Sequence, residues 1–352
     1  MTYESLKPLI YKLDPENAHA LAEFSMRTLD CIFPGGLSFF AKDRVINDEI
    51  LNQEIFNLNF YNPVGLAGGF DKNATMIRPL SALGFGFLEY GTFTPKPQNG
   101  NEKPRLFRLV EQESIQNAMG FNNKGKDAIA KEVKKVYPFS IPLVANIGKN
   151  KITPNEEAIN DYIILLKEFK DLCDLFVINI SSPNTKNLRD LQSEEFVSTL
   201  FNQAKEITNK PVILKIAPDM NIDSAISLCK SAISAKANGI IMANTSIDYS
   251  LIDNARTFGG ISGRLITQKS ATFFKEVAKE IYQDTILIAS GGIDSAELAY
   301  ERIKNGASLV QIYTAMIFKG PSIVKNINQG LIELLKQDGF NHISQAIGVN
   351  FK

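Results

Sequence analysis

The sequence predicts an α/β fold, a (β/α)8 TIM barrel with a small helical extension at its amino-terminal end. Three observations carry this prediction. Eight short apolar runs follow one another from about residue 60 onward. Longer stretches with helical periodicity separate them, the alternation of a parallel sheet under helices. The runs are apolar on both faces, so their sheet is covered on both sides, and eight strands close a barrel. A doubly wound open sheet is the alternative.

The runs are "NPVGLAG" (62–68), "FGFLEYGT" (85–92), "IPLVANIG" (141–148), "CDLFVINIS" (173–181), "KPVILKIAP" (210–218), "NGIIMANTS" (238–246), "DTILIASGG" (284–292) and "ASLVQIYTA" (307–315). The helical stretch "PNEEAINDYIILLKEF" has Thr153 as a candidate N-cap, Pro154 at the first helical position and acidic residues in its first turn. "NIDSAISLCKSAISAKAN" and "SATFFKEVAKEIYQ" share its amphipathic character. A barrel needs roughly 250 residues, and two segments hold the surplus. Residues 1–44 read as a separate helical module, with the barrel spanning 45–352. The other surplus lies at 93–140, where "KPRLFRLVEQESIQNAMGFNN" alternates like a hairpin turning near Glu111–Glu113. "DEILNQEIFNLNF" (48–60) alternates too and is expected to form a hairpin closing the barrel bottom.

Composition narrows the function classes. Lys+Arg and Asp+Glu both total 38, so no net field favours nucleic acid. Three scattered cysteines, Cys31, Cys173 and Cys229, form no CxxC motif and suggest neither a disulfide framework nor a zinc site. They fit a reducing compartment. No run reaches the roughly 18 apolar residues of a membrane span, and no signal peptide is visible at the start.

Active sites of such barrels form at the carboxyl ends of the strands. Here those ends read "AGGFDK", "YGTFTP", "ANIGKN", "NISSPN", "LKIAPD", "ANTS", "ASGGID" and "IYTAMIFKG". Both histidines, His19 and His342, lie elsewhere, so Ser182 of "NISSPNT" has no base for acyl transfer. Asp71, Asp219 and Asp294 are scattered, which argues against a metal cage or a carboxylate pair. Asn117, Asn179, Asn184 and Asn244 offer both donors and acceptors and suit a planar ring carrying amide or urea groups. Asparagine also favours turns after strands, which is the plainer explanation for any one of them. Gly291 and Gly292 follow the seventh strand, where barrels bind phosphate. Lys72 and Lys215 can neutralise an anionic ligand or developing charge.

Taken in order, "GLAGGFDKN", "EYGTFTPKPQNGNEKPRLFRL", "NAMGFNN", "NIGKNK", "NISSPNT", "KIAPD", "GGISGR" and "LVQIYTAMIFKGP" closely resemble the quinone-dependent class 2 dihydroorotate dehydrogenases. The resemblance spans the chain, including "LDPENAHAL" near the start. It implies an FMN-binding barrel that oxidises dihydroorotate to orotate in pyrimidine (UMP) biosynthesis and passes the electrons to a membrane quinone. It implies a peripheral protein on the cytoplasmic side of the cell membrane, with no obligate protein partner.

By the same resemblance Ser182 is the catalytic base. Asn117, Gly120, Phe121, Asn184, Asn244 and Thr245 match substrate contacts, with Lys72 and Asn179 near both substrate and flavin. Gly68, Gly69, Thr92, Asn146, Lys215, Gly263, Gly291, Gly292, Tyr313 and Thr314 match the flavin site. Ala243 stands where some relatives carry a flavin-touching threonine. His19 and Arg108 would line a quinone tunnel, with Tyr313 between tunnel and flavin. The segment 183–192 reads as a mobile loop that excludes water.

In the extension, Leu6, Leu9, Ile10 and Leu13 fall at helical spacing. Asp14–Pro15 then reads as the start of a second helix, with Ala18, Leu21, Ala22, Ser25 and Leu29 as its small apolar face. Two such helices can lie in a membrane interface. Competing expectations are a class 1 enzyme, with a cysteine base and fumarate or an NAD-linked partner subunit as acceptor, a flavin barrel acting on transfer RNA, and a barrel without catalysis.

Overall fold

A computed structural model describes residues 3–33, 36 and 42–352. Helices α1 (Tyr3–Ile10) and α2 (Pro15–Ile32) come first. Strands β1 (Gln53–Ile55) and β2 (Leu58–Phe60) form an antiparallel hairpin. Its two-residue turn places Phe56 and Asn57 at φ 59° and 58°, the left-handed pair whose twist matches that of the flanking strands. Ile55 and Phe60 pack with Phe87, Val144, Val177, Ile213, Ile241 and Ile288 in one apolar cluster. The expected bottom hairpin is therefore present and packs onto inward-facing barrel residues.

The barrel is closed. Its strands are β3 (Val64–Asp71), β4 (Phe87–Phe93), β7 (Leu143–Ile147), β8 (Leu175–Asn179), β9 (Val212–Ile216), β10 (Gly239–Met242), β12 (Ile286–Ser290) and β13 (Leu309–Ile312). Neighbours run parallel, from Gly65↔Phe87 round to Gln311↔Gly65. Each predicted run overlaps one strand; β3 and β4 extend past their runs, to Asp71 and Phe93, and the other six strands are shorter than theirs. "NGIIMANTS" pairs only as far as Met242, because the chain from Ala243 turns into the barrel mouth. Register shifts interrupt β3 between Leu66 and Asp71 and β4 between Gly91 and Phe93. Such bulges re-aim side chains beside active sites, and these two lie at the mouth.

Helices α3 (Ile77–Ser81), α4 (Lys126–Val133), α5 (Ala158–Phe169), α6 (Glu194–Ile207), α7 (Ile222–Ser234), α8 (Thr267–Ile281), α9 (Ala296–Lys304), α10 (Thr314–Lys319) and α11 (Ile323–Gln337) connect or follow the strands. Side-chain caps start several of them: Ser193 accepts from Phe196 N, Asn221 from Ser224 N and Ser295 from Leu298 N. Thr153 is a correction. The first turn after it is a 3₁₀ turn, Asn155–Glu157, and Pro154 holds the cap position. Its bond runs from Glu157 N to Pro154 O. Thr153 instead offers its carbonyl to Lys149 Nζ at 2.7 Å.

The long excursion after β4 does form a hairpin, β5 (Leu106–Leu109) and β6 (Ser114–Asn117), with its turn at 110–113. β6 also pairs with β11 (Gly260–Gly263). This small antiparallel sheet carries Asn117, Ser262 and Gly263 to the mouth. At the extension, Asp14 caps α2 by accepting from Glu16 N and Asn17 N, as expected. Helix α1 ends at Ile10, so Leu13 lies past it, and Leu9 and Leu13 are exposed.

Candidate active site

One continuous cavity of about 570 Å³ opens at the carboxyl ends of the strands and runs out beneath α1 and α2. Beneath its lining residues Gly68, Lys215 and Gln311 lies a buried carboxylate. Glu89, on β4, is fully buried. Lys215 Nζ, from β9, sits 3.1 Å from its Oε1. The amides of Asn146 (β7) and Gln311 (β13) also donate to it. Four strands thus meet at one carboxylate. A buried charge is tolerable only when paired and hydrogen-bonded, and Glu89 meets both conditions. Gly68 sits directly above, and a Cβ there would approach Asn146 Nδ2 to 2.6 Å.

A second layer of bonds orients the cavity wall. Thr92 Oγ1 donates to Asn146 Oδ1 at 2.6 Å and accepts from Asn179 Nδ2 at 2.8 Å. Asn179 Oδ1 accepts from Ser181 Oγ at 2.9 Å, and Asn244 Nδ2 donates to that same hydroxyl at 2.9 Å. Asn184 Nδ2 donates to Asn117 Oδ1 at 3.0 Å. All four asparagines line the one cavity, each held by a neighbour. Ser182 is 6% exposed, and its Oγ accepts from Asn184 N at 3.2 Å. Asn184 Oδ1, Thr245 Oγ1 and Gln311 Oε1 are buried cavity-lining atoms with no protein partner.

Gly263, Gly291 and Gly292 line the cavity near Thr314, the last two at φ 98° and 69°. Such left-handed backbone is open to glycine at no steric cost. Lys72 donates to Gly69 O at 2.9 Å, and its pKa is pushed down to about 8, by burial first and Arg105 second. Gly69, Gly120, Phe121 and Ala243 also line the space. Asn146 is the exception. It is fully buried and reaches the cavity only through Thr92 and Asn179.

A family model described as dihydroorotate dehydrogenase matches residues 50–335. The chain belongs to the dihydroorotate dehydrogenase family. It is 56% identical over 352 residues to the dihydroorotate dehydrogenase (quinone) of a Nitratiruptor species, covering 100% of both chains. It is 47% identical to the protein of that name from Helicobacter acinonychis, again over 100% of both chains. Among solved structures it resembles DHODH from Eimeria tenella in complex with ferulenol, at a TM-score of 0.85 and 33% identity, covering 98% of this chain and 99% of that one.

In this member of the dihydroorotate dehydrogenase family, the outer part of the cavity is built by the extension. Ala18, His19, Leu21, Ala22 and Ser25 of α2 line it, and Leu29 does not. His19 packs edge-on against Phe70 at 5.0 Å, and Phe70 likewise against Tyr313 at 5.4 Å. Burial, then the Lys72 charge, pushes the His19 pKa down to about 4, so its imidazole is neutral near pH 7. Burial pushes Tyr313 up to about 12. Arg108 donates to Leu13 O at 2.8 Å and lies 5.0 Å from the Tyr11 ring centroid. Further ties latch the extension to the barrel, among them Arg105 to Glu16 at 2.6 Å, Tyr3 OH to Ile317 O at 2.5 Å and Thr75 Oγ1 to Glu23 at 2.7 Å.

Sequence reasoning missed Glu89, Gln311 and Ser181. A signal was present for the first two. Each is a lone polar residue inside an otherwise apolar strand, "FLEYGT" and "LVQIYT", and a polar side chain buried on both faces of a sheet needs partners. The aspartates proved structural in two cases. Asp71 accepts from Thr75 N and Met76 N, and Asp219 holds Arg189, Ser246 and Lys269. Among the described residues no acidic, histidine or cysteine group could hold a metal.

Proposed function

We propose that the chain oxidises (S)-dihydroorotate to orotate, with FMN as hydride acceptor and a membrane quinone as terminal acceptor, in pyrimidine biosynthesis. One observation carries the reading. A single cavity joins Ser182, four asparagine amides and Lys215 at its inner end to His19, Tyr313 and an apolar helix face at its outer end. The residues present fit a flavin mononucleotide. Three buried polar atoms on the wall lack protein partners, and side-chain-free backbone at Gly263, Gly291 and Gly292 suits a phosphate. Lys215, Thr92 and Asn179 would hold the ring, and Gly263, Gly291, Gly292 and Thr314 the phosphate end. Bound there, FMN supplies the two-electron acceptor that takes the C6 hydride.

The remaining work falls to the chain's own groups. Asn117, Asn179, Asn184 and Asn244 match a cyclic ureide by donating and accepting around its edge. Lys72 balances the substrate carboxylate. Ser182 Oγ takes the C5 proton. The N–H of Asn184 already donates to that oxygen, which favours negative charge on it as the proton of Ser182 departs. Thr185 Oγ1, three residues on, is buried and free of a protein partner, and suits onward relay of the proton. Arg189 anchors the loop after β8 through Ser181 O, Asp219 and Thr245 O, which suits a loop that restricts access of water to the site.

The extension suits a membrane surface. Leu9, Leu21, Phe24, Ile32 and Phe33 are exposed on or just after its helices, an apolar set of the kind that inserts into an interface. No helix among the described residues is long and apolar enough to cross a membrane. The cytoplasmic face of the cell membrane is the proposed location. A cysteine base is disfavoured, because Cys173 and Cys229 are buried away from the cavity and Cys31 is exposed on α2. The test is direct. The purified protein should be yellow, bleach on anaerobic addition of dihydroorotate without NAD, and regain colour with a quinone. A colourless protein, or one unbleached by dihydroorotate, overturns the proposal.

A further inference from the structure

The largest fully buried side chain outside the cavity is a cation. Arg302, on α9, is 1% exposed. Among the described residues no carboxylate is buried beside it. Its ion pair is with its chain neighbour Glu301 at 3.6 Å, and Glu301 is half exposed. Its Nη1 is buried without a hydrogen-bond partner. Burial pushes its pKa down to about 10, which still leaves it charged near neutral pH. Burying an uncompensated guanidinium is costly, so its position calls for an explanation.

That position is behind the glycine loop. Arg302 Nη2 donates to Thr267 O at 3.0 Å and reaches Ser270 Oγ at 3.4 Å. Ser270 Oγ donates to Gly291 O at 2.7 Å, and Thr267 Oγ1 donates to Gly292 O at 2.9 Å. A Cβ on Gly292 would overlap Thr267. The first turn of α8 is therefore sandwiched between the guanidinium and the loop. The carbonyls of both glycines are hydrogen-bonded into that turn. The other cations near this end, Arg264 and Lys319, are 55% and 36% exposed and share Glu113.

We propose that Arg302 is a positioning residue for the phosphate end of the flavin site. It supplies a buried positive charge one hydrogen-bond layer behind the Gly291–Gly292 loop and locks that loop through Thr267 and Ser270. The phosphate dianion is then the missing counter-charge of a guanidinium the protein alone leaves unbalanced. This rests on the FMN reading above.

The test separates the phosphate from the ring. Flavin-free protein is titrated with FMN and, separately, with riboflavin, which has the ring but no phosphate. Flavin fluorescence reports binding, and the chain has no tryptophan to complicate it. R302M keeps the stem and removes the charge. It should weaken FMN binding by roughly tenfold to a hundredfold and leave riboflavin binding unchanged. R302K, which restores charge, should recover most of the loss. Unchanged FMN affinity in R302M, or equal losses for both ligands, overturns the inference. A measurement on the unaltered protein covers variants that fail to fold. Buried charges are screened little by salt and exposed ones strongly, so the preference for FMN over riboflavin should persist at 1 M salt, at which the Debye length is about 3 Å. A preference that vanishes there assigns it to Arg264 and Lys319 and overturns the role of Arg302. A protein that binds riboflavin and FMN equally refutes this inference alone, whereas one that binds neither refutes the flavin reading itself.

Discussion

Replacing Glu89 by glutamine removes one charge from beneath the cavity wall and little else. The carboxylate accepts from Asn146, Lys215 and Gln311. A carboxamide keeps one acceptor oxygen, enough for Asn146 and Lys215. Its new N–H2 faces Gln311, whose Oε1 is buried without a partner, so that amide can turn over and accept. Shape and hydrogen bonds thus survive. What does not survive is the charge balance of Lys215, whose side chain is 5% exposed. Breaking a buried pair by removing one partner costs about 3–5 kcal/mol, because the other charge is left uncompensated. Adding Lys215→Met removes that orphan, so E89Q/K215M should cost less than the sum of its single variants by about 2 kcal/mol or more. Urea unfolding of the flavin-free proteins, followed by far-ultraviolet circular dichroism, measures all four corners of the cycle. A loss below about 1 kcal/mol for E89Q, the range of exposed pairs, would refute the reasoning, as would strict additivity in the double variant.

Ser182→Ala should keep its flavin but slow reduction by dihydroorotate roughly 10²–10⁴-fold; stopped-flow bleaching at the wild-type rate would remove Ser182 from the mechanism. Ser182→Cys should retain more activity, with a pH profile moved toward neutrality. Lys72 has its pKa pushed down to about 8, so orotate affinity should fall as pH rises through that value and the ammonium is lost. In Lys72→Met, affinity should be low and flat from pH 6.5 to 9.5, and an equal pH slope in both proteins would count against the assignment. The depressed value also means that the folded state disfavours the charged form. The penalty is present below about pH 8, and stability should rise as pH climbs from there toward the ordinary lysine value near 10.4. Deleting residues 1–40 should spare bleaching by dihydroorotate, abolish reoxidation by a long-tailed quinone and weaken binding to lipid vesicles. A truncated protein that folds and reduces quinone at full rate would show that the extension is not the quinone entrance.

The elements were legible in the sequence because their determinants are local. Apolar runs, turn residues and caps such as Asp14 and Asn221 act within a few positions of the backbone they shape. The count of eight runs then implied closure, and closure implied that the polar strand ends share one mouth. The asparagines, Ser182 and the paired glycines were visible for that reason. Thr153 failed for the same local reason, since 3₁₀ turns are frequent at α-helix N-termini and shift the cap position. Other features were not encoded locally at all. Lys215 meets Glu89 across 126 positions of chain, and Gln311 meets it across 222. Glu16 meets Arg105 across 89. Whether such residues touch depends on the stagger between strands and on where a helix comes to rest on the barrel. Both are settled only when the sheet closes on itself and every register is fixed at once.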